Sequence, residues 1–177
     1  ASYNFSISDL QSKQVNDLCQ RLGLTPFMFF MAAYQITLAK YCKQTDVCVG
    51  IPIAGRVHQE IEGVVGLFLN ALIIRTKPIV GKNLKDYFLE VKDITLRAFD
   101  RQDLALDTLI DSLEVDREYD EVPGIQFGFI FQNAQNASVS DKKSLEGFES
   151  DLLSIRPLSY QSQTSKHDIC LSISELS

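Results

Sequence analysis

The chain reads as an α/β protein, a two-layer sandwich in which a mixed β-sheet of about four or five strands has its helices packed on one face. Three observations lead there. Capped segments with helical periodicity open the chain, β-branched runs alternate with further helical segments behind them, and a 45% hydrophobic content in 177 residues suffices for one sizeable core. The expectation is a single domain over residues 1–177, with no internal repeat and no interdomain linker.

Ser8 and Gln11 form a capping-box pattern, and Val15, Leu18, Cys19 and Leu22 recur at helical spacing until Gly23 offers a left-handed stop. Thr25 before Pro26 repeats the start signal, because a hydroxyl caps the first free amides and proline tolerates the first helical position. The helix that follows, to about Cys42, is apolar nearly all round and belongs deep in the core. Residues 47–53 then read as a short buried strand and 67–76 as a longer one, both rich in β-branched side chains. The connection between them, 54–66, is polar and bounded by glycines. Leu84, Phe88, Val91, Thr95 and Ala98 mark a third helix; Leu106, Leu109, Ile110 and Leu113 mark a fourth, starting near Asp103 as its cap. Phe127, Phe129 and Phe131 alternate with Gln126, Gly128 and Gln132, with Ile130 breaking the pattern. Ile169, Leu171 and Ile173 alternate with Cys170, Ser172 and Ser174, so both stretches read as strands with one covered face. Residues 135–143 are polar and without a period, as in a surface loop. The chain stops directly after its last strand without a closing element, as a cut piece would.

Several chemistries find no support. A net charge of -6 and the lack of a long basic run argue against a nucleic-acid partner, which needs clustered cations to displace phosphate counterions. Cys19, Cys42, Cys48 and Cys170 form no CxxC pair, and only His58 and His167 are available to join them, so no metal site is expected. Isolated thiols of this kind are those of a reduced, cytoplasmic protein. The apolar stretch 27–33 is interrupted by Gln35, Thr37 and Lys40 before it reaches the ~20 residues of a membrane span, and no signal-peptide pattern opens the chain. Asp103, Asp107 and Asp111 share four-residue spacing, which reads as a cap and a solvated acidic face rather than a metal site. The serines lack a nucleophile elbow, and no phosphate-binding glycine loop is present.

The stretch LAKYCKQTDVCVGIPIAGR, a helix leading through a polar turn into a strand that closes on glycine, proline and a Gly-Arg pair, and the following GVVGLFLNALIIRT carry the strongest family signal. Both resemble blocks of the condensation domains of nonribosomal peptide synthetases. FDRQDLALDTLIDSL is similar to the family's His-Gln-Asp-x-Pro-Phe-Glu helix start, with Arg101, Ala105 and Asp107 in place of the usual histidine, proline and glutamate. REYDEVPGIQFGFIFQN echoes a further block, keeping Arg117 and Gln126. The order of elements from Asp9 to Ile173 is similar to the C-terminal lobe of that family.

The resemblance implies a chloramphenicol-acetyltransferase-like fold of two lobes set in a V, with a tunnel between them. It implies amide-bond formation between aminoacyl or peptidyl thioesters delivered on phosphopantetheine by donor and acceptor peptidyl carrier proteins, with no cofactor bound directly. The family's catalytic His-His-x-x-x-Asp-Gly motif belongs to the other lobe, and no adjacent histidine pair exists here. The chain alone is therefore expected to have no catalytic residue and to need the N-terminal lobe as partner. Self-association through the exposed inter-lobe face is also expected. A degenerate carrier-docking or scaffold module, and a lobe of an ester-forming or cyclising acyltransferase, remain alternatives.

Asn70, Arg56 and His58 are candidates to line the tunnel, and Arg75 to meet phosphopantetheine phosphate or a carrier carboxylate. Each also has an ordinary reading. Asn70 within LFLNALII would be costly to bury unless it pinned neighbouring backbone, His58 suits a solvated turn, and the arginines suit surface ion pairs. His167, before Asp168 and a strand, reads as a sheet-edge side chain. By position between matching blocks, 51–63 is a candidate floor loop and 133–165 a candidate latch, both reaching toward the other lobe.

Overall fold

A computed structural model describes residues 2–79, 81–113, 125–132, 148–149, 154–155 and 164–175. Helix α1 (Asp9–Leu22) opens on the capping box. The Gln11 amide donates to Ser8 Oγ at 3.4 Å, and the Ser8 amide donates to Gln11 Oε1 at 3.1 Å. Gly23 ends the helix at φ 62°, where a side chain would be strained. Thr25 Oγ1 then accepts the Met28 amide at 3.2 Å and starts α2 (Pro26–Cys42), whose Met31, Ala32 and Gln35 are wholly buried. Gln35 can lie there because its amide is matched. It donates to the Ile74 carbonyl at 3.0 Å and accepts from the Tyr87 hydroxyl at 3.4 Å. No single helix among the described residues is long and apolar enough to cross a membrane.

Strands β1 (Val47–Ile53), β2 (Asn70–Thr76), β3 (Phe127–Gln132) and β6 (Ile169–Ser174) form one sheet in the order β2-β1-β3-β6. β1 and β2 are antiparallel, whereas β3 runs parallel to both β1 and β6. The sheet is therefore mixed, as expected. Two short strands, β4 (Phe148–Glu149) and β5 (Ser154–Ile155), pair with each other in a second sheet. Helix α3 (Leu84–Phe99) packs on α2 and β2, and α4 (Leu106–Ser112) lies beside β2.

The pairing register assigns alternate residues to opposite faces of the main sheet. Val47, Val49, Ile51, Leu72, Ile74 and Phe129 point to one side and are buried with Met31 and Leu38 of α2 and Val91 of α3. Phe27 and Tyr34 of α2 bring their rings to 5.3 and 6.1 Å from that of Phe129. Gly50, Pro52, Ala71, Gly128 and Ile130 point to the other side, away from these helices.

Two boundaries differ from the sequence reading. β2 starts at Asn70 rather than at 67, because its partner β1 ends at Ile53 opposite Asn70; Leu67 and Leu69 lie beyond the ladder and are exposed. Helix α4 starts at Leu106, and Asp103 does not cap it. The cap position is held by Ala105, which has no side-chain acceptor, while Asp103 sits in the turn before. The loop expected at 135–143 lies outside the described residues, as does the latch candidate 133–165 apart from β4, β5 and residues 164 and 165.

Candidate functional site

The face of the sheet turned away from α2 and α3 carries an open groove of about 750 Å³. Small residues make its floor. Gly50 of β1 and Gly128 of β3 are register partners, and both lie beneath other side chains. A methyl group on Gly50 would come within 2.6 Å of Ile125 Cγ2, and one on Gly128 within 2.7 Å of His167 Cδ2. The two glycines thus let Ile125 and the His167 imidazole lie directly against the sheet. Around them the groove is bounded by residues 67–71, by Gln102, Asp103, Ala105, Leu106 and Asp107, and by Lys166.

His167 is held from several directions. Its Nδ1 lies 2.7 Å from the Ile125 carbonyl oxygen, and because a carbonyl can only accept, Nδ1 carries the hydrogen. The next amide, of Asp168, donates to the Gln126 carbonyl at 2.9 Å, and Ser165 Oγ–H donates to the His167 carbonyl at 2.6 Å. His167 lies two residues before β6, the last strand in the order of the described sheet, and its ring lies over Gly128 of β3 and lines the groove.

Asn70 also lines the groove, and its side chain is engaged with backbone. Its Nδ2 donates to the carbonyls of Gln102 and Leu104, both at 3.0 Å, and its Oδ1 accepts the amides of Ala71 at 2.9 Å and Leu106 at 3.3 Å. Asn70 therefore caps α4 from another strand, supplying the acceptor that Ala105 lacks. This ties the groove wall 102–107 to the end of β2.

Arg56 lines an adjoining open cleft, which shares Pro52, Gly55, Val57 and Gln102 with the groove. Its Nη1 donates to the carbonyls of Ile61, Glu62 (3.2 Å) and Val64 (2.9 Å), and its guanidinium lies 4.4 Å from the centre of the Phe68 ring. The neighbouring Gly55, at φ 63°, receives the Phe68 carbonyl so closely that a Cβ would stand 1.9 Å from that oxygen. Arg56, Gly55 and Phe68 thus fold the connection between β1 and β2 onto itself. His58 is exposed at the start of the 3-10 turn Gln59–Ile61, makes no capping bond and does not line the groove. Arg75, also outside the groove, makes a two-pronged ion pair with Asp46, both bonds being 2.8 Å. The Arg75 hydrogen bond holds the Asp46 carboxyl below its ordinary range. Of the four residues singled out, Asn70 lines the groove and Arg56 the cleft adjoining it.

Burial pushes the Cys19 and Cys48 thiols up, which keeps them protonated, and no cluster of three His, Cys, Asp or Glu side chains is present among the described residues. Sequence reasoning missed His167 as a groove residue. The signal was Gly128 on the neighbouring strand, and only the three-dimensional register reveals what stands over it.

Comparison with known proteins agrees with this architecture. The chain is 40% identical over 159 residues to tyrocidine synthase 3 of Brevibacillus parabrevis, an alignment covering 90% of the chain and 2% of that protein. It is 35% identical over 171 residues to bacitracin synthase 3 of Bacillus licheniformis, covering 97% of the chain and 2% of that protein. The chain thus spans a few hundredths of the length of these relatives. Among solved structures, a four-domain nonribosomal peptide synthetase bound to AMP and glycine superposes with a TM-score of 0.82 at 17% identity, over 98% of this chain and 14% of that one. The condensation domain of a Monacolin K polyketide synthase superposes with a TM-score of 0.66 at 18% identity, over 73% and 30% of the two chains. The family model described as Condensation domain matches residues 1–177, and the chain belongs to the condensation-domain family of nonribosomal peptide synthetases.

Proposed function

We propose that this chain is the C-terminal lobe of a condensation domain and supplies one wall of the tunnel in which an amide bond forms between two carrier-bound thioesters. In that reaction the amine of an acceptor aminoacyl thioester attacks the donor thioester carbonyl. A C–N bond forms, the C–S bond to phosphopantetheine breaks, and the amine proton must be taken up. The single observation that carries the reading is the 750 Å³ groove on the face of the sheet turned away from α2 and α3, with the paired glycines Gly50 and Gly128 in its lining, in a chain of this family. Phosphopantetheine enters only as the arm of donor and acceptor carrier proteins, and the setting is cytoplasmic.

The lobe has no adjacent histidine pair, so the catalytic motif comes from the N-terminal lobe. The floor-loop candidate 51–63 and the residues after it offer that lobe a contact surface: Val65 is fully exposed and Leu67 is 91% exposed. In isolation the same surface favours self-association, which sedimentation at rising concentration reads out. Arg75 keeps a role as a carrier contact only if a partner carboxylate or phosphate displaces Asp46, since the pair is exposed and easily exchanged.

A second reading, a carrier-docking module without turnover, is favoured by the altered wall segment, where Ala105 leaves α4 without a cap of its own and Asp107 replaces the family glutamate. One experiment separates the two. The chain is mixed with loaded donor and acceptor carriers, alone and joined to an intact upstream lobe, and dipeptidyl product is sought by mass spectrometry. Product only from the joined form supports the lobe reading. Carrier binding without product from the joined form supports the docking module, and product from the chain alone overturns both.

A further inference from the structure

His167 offers the groove a ring nitrogen that Asn70 does not duplicate. Its Nδ1–H is spent on the Ile125 carbonyl, so in the neutral ring the lone pair lies on Nε2. No partner for Nε2 exists among the described residues, and the ring lines the groove while lying on Gly128. Asn70, by contrast, has its donors on the Gln102 and Leu104 carbonyls and its oxygen on two amides. Asp103, Asp107 and Lys166, the charged groups of the groove wall, are exposed to solvent. With two carboxylates and a fixed imidazole lone pair against a single ammonium, the wall is richer in acceptors than in donors.

Resting on the reading of this groove as a substrate channel, we propose that His167 is a substrate-contacting residue whose Nε2 accepts a hydrogen bond from an N–H of the bound aminoacyl or peptidyl group. The Ile125 carbonyl sets the tautomer, Gly128 admits the ring, and the substrate's amine or amide completes the contact. The role is positional: the imidazole orients the nitrogen by its hydrogen bond, and the residue's loss weakens capture of the amine substrate more than turnover.

Two substitutions divide the ring's functions. His167→Asn keeps a donor at the δ position, toward Ile125, and removes the ε acceptor; His167→Gln keeps an acceptor at the ε position and removes the δ donor. In the form joined to the upstream lobe, the proposal expects about a 3- to 10-fold rise in KM for the amine-bearing acceptor in the Asn variant, the worth of one lost hydrogen bond, with kcat little changed. Recovery is expected in the Gln variant. The reverse order, with Asn near wild type and Gln impaired, would mean that His167 only braces Ile125 and would overturn the proposal. A second measurement does not depend on turnover. In the 177-residue chain, long-range ¹H–¹⁵N spectra should show His167 protonated at Nδ1, and titration with alanyl-pantetheine thioester should shift the Nε2 resonance. An unmoved Nε2 overturns the inference even if the joined form makes product, whereas a moved Nε2 supports it even if the joined form makes none and the amide-forming reading falls.

Discussion

The two faces of the main sheet are built from alternate residues of the same strands, yet they do opposite things. On the helix side Val49, Ile74 and Phe129 are completely buried and the polar intruder Gln35 is matched by hydrogen bonds. The alternate positions on the other face are Gly50, Pro52, Ala71, Ile73, Gly128 and Ile130, and the polar groups that gather at the groove there include His167 and Asn70. Large apolar side chains stabilise through the surface they remove from water, and the glycines let Ile125 and the His167 ring come down onto the sheet where they line the groove. The period of two in a strand thus lets one segment serve stability on one face and binding on the other.

Substitutions that respect this division sharpen it, and the largest effect is expected in the core. Phe129→Ala removes a ring that meets Phe27, Tyr34 and Phe131, and should cost about 3–5 kcal/mol in urea unfolding without altering the groove chemistry directly. Gly128→Val, one residue away on the other face, should cost less, about 1–3 kcal/mol for overpacking, while displacing the His167 ring. A loss of the His167–Ile125 hydrogen bond in NMR spectra, with a smaller stability loss than that of Phe129→Ala, would mark that variant as a groove defect. If Gly128→Val were as damaging as Phe129→Ala, the two faces would not be separable.

Asn70→Ala tests the join between them. It frees two carbonyls and uncaps α4, and because the site is only half-buried the expected cost is about 1 kcal/mol, with faster amide exchange at Leu106. The smallest effect belongs to the exposed Arg75–Asp46 pair. Asp46 titrates below its ordinary range in the folded chain, so its contribution is present at neutral pH and is lost as pH falls through the folded value. Arg75→Ala should therefore shift the melting temperature slightly at pH 7 and at low salt, and not at all in strong acid or at high salt.

Local chemistry made most of the fold legible in the sequence. Ser8 with Gln11, Gly23, and Thr25 with Pro26 announce the two opening helices because capping and backbone strain act within a few residues. The alternation of Phe127, Phe129 and Phe131 announces a strand for the same reason. The failures lie where the deciding partner is distant. Asp103 looked like a cap for α4, but the acceptor is Asn70, which belongs to β2. Leu67 and Leu69 have strand-like composition but no partner strand beyond Ile53. Arg56 suited a surface ion pair in sequence and instead donates to three carbonyls of its own loop. His167 looked peripheral because nothing near it in sequence reveals that Gly128 lies beneath its ring.

The central claim is that the face of the sheet turned away from α2 and α3 receives the substrate, and methyl NMR of the chain with an aminoacyl-pantetheine thioester tests it directly. The account predicts shifts at the methyls of Ala71, Ile125 and Ile130, which line the groove, with those of Val49, Ile74 and Val91 unchanged in the core. Shifts spread evenly over both sets, or confined to the core set, would contradict it.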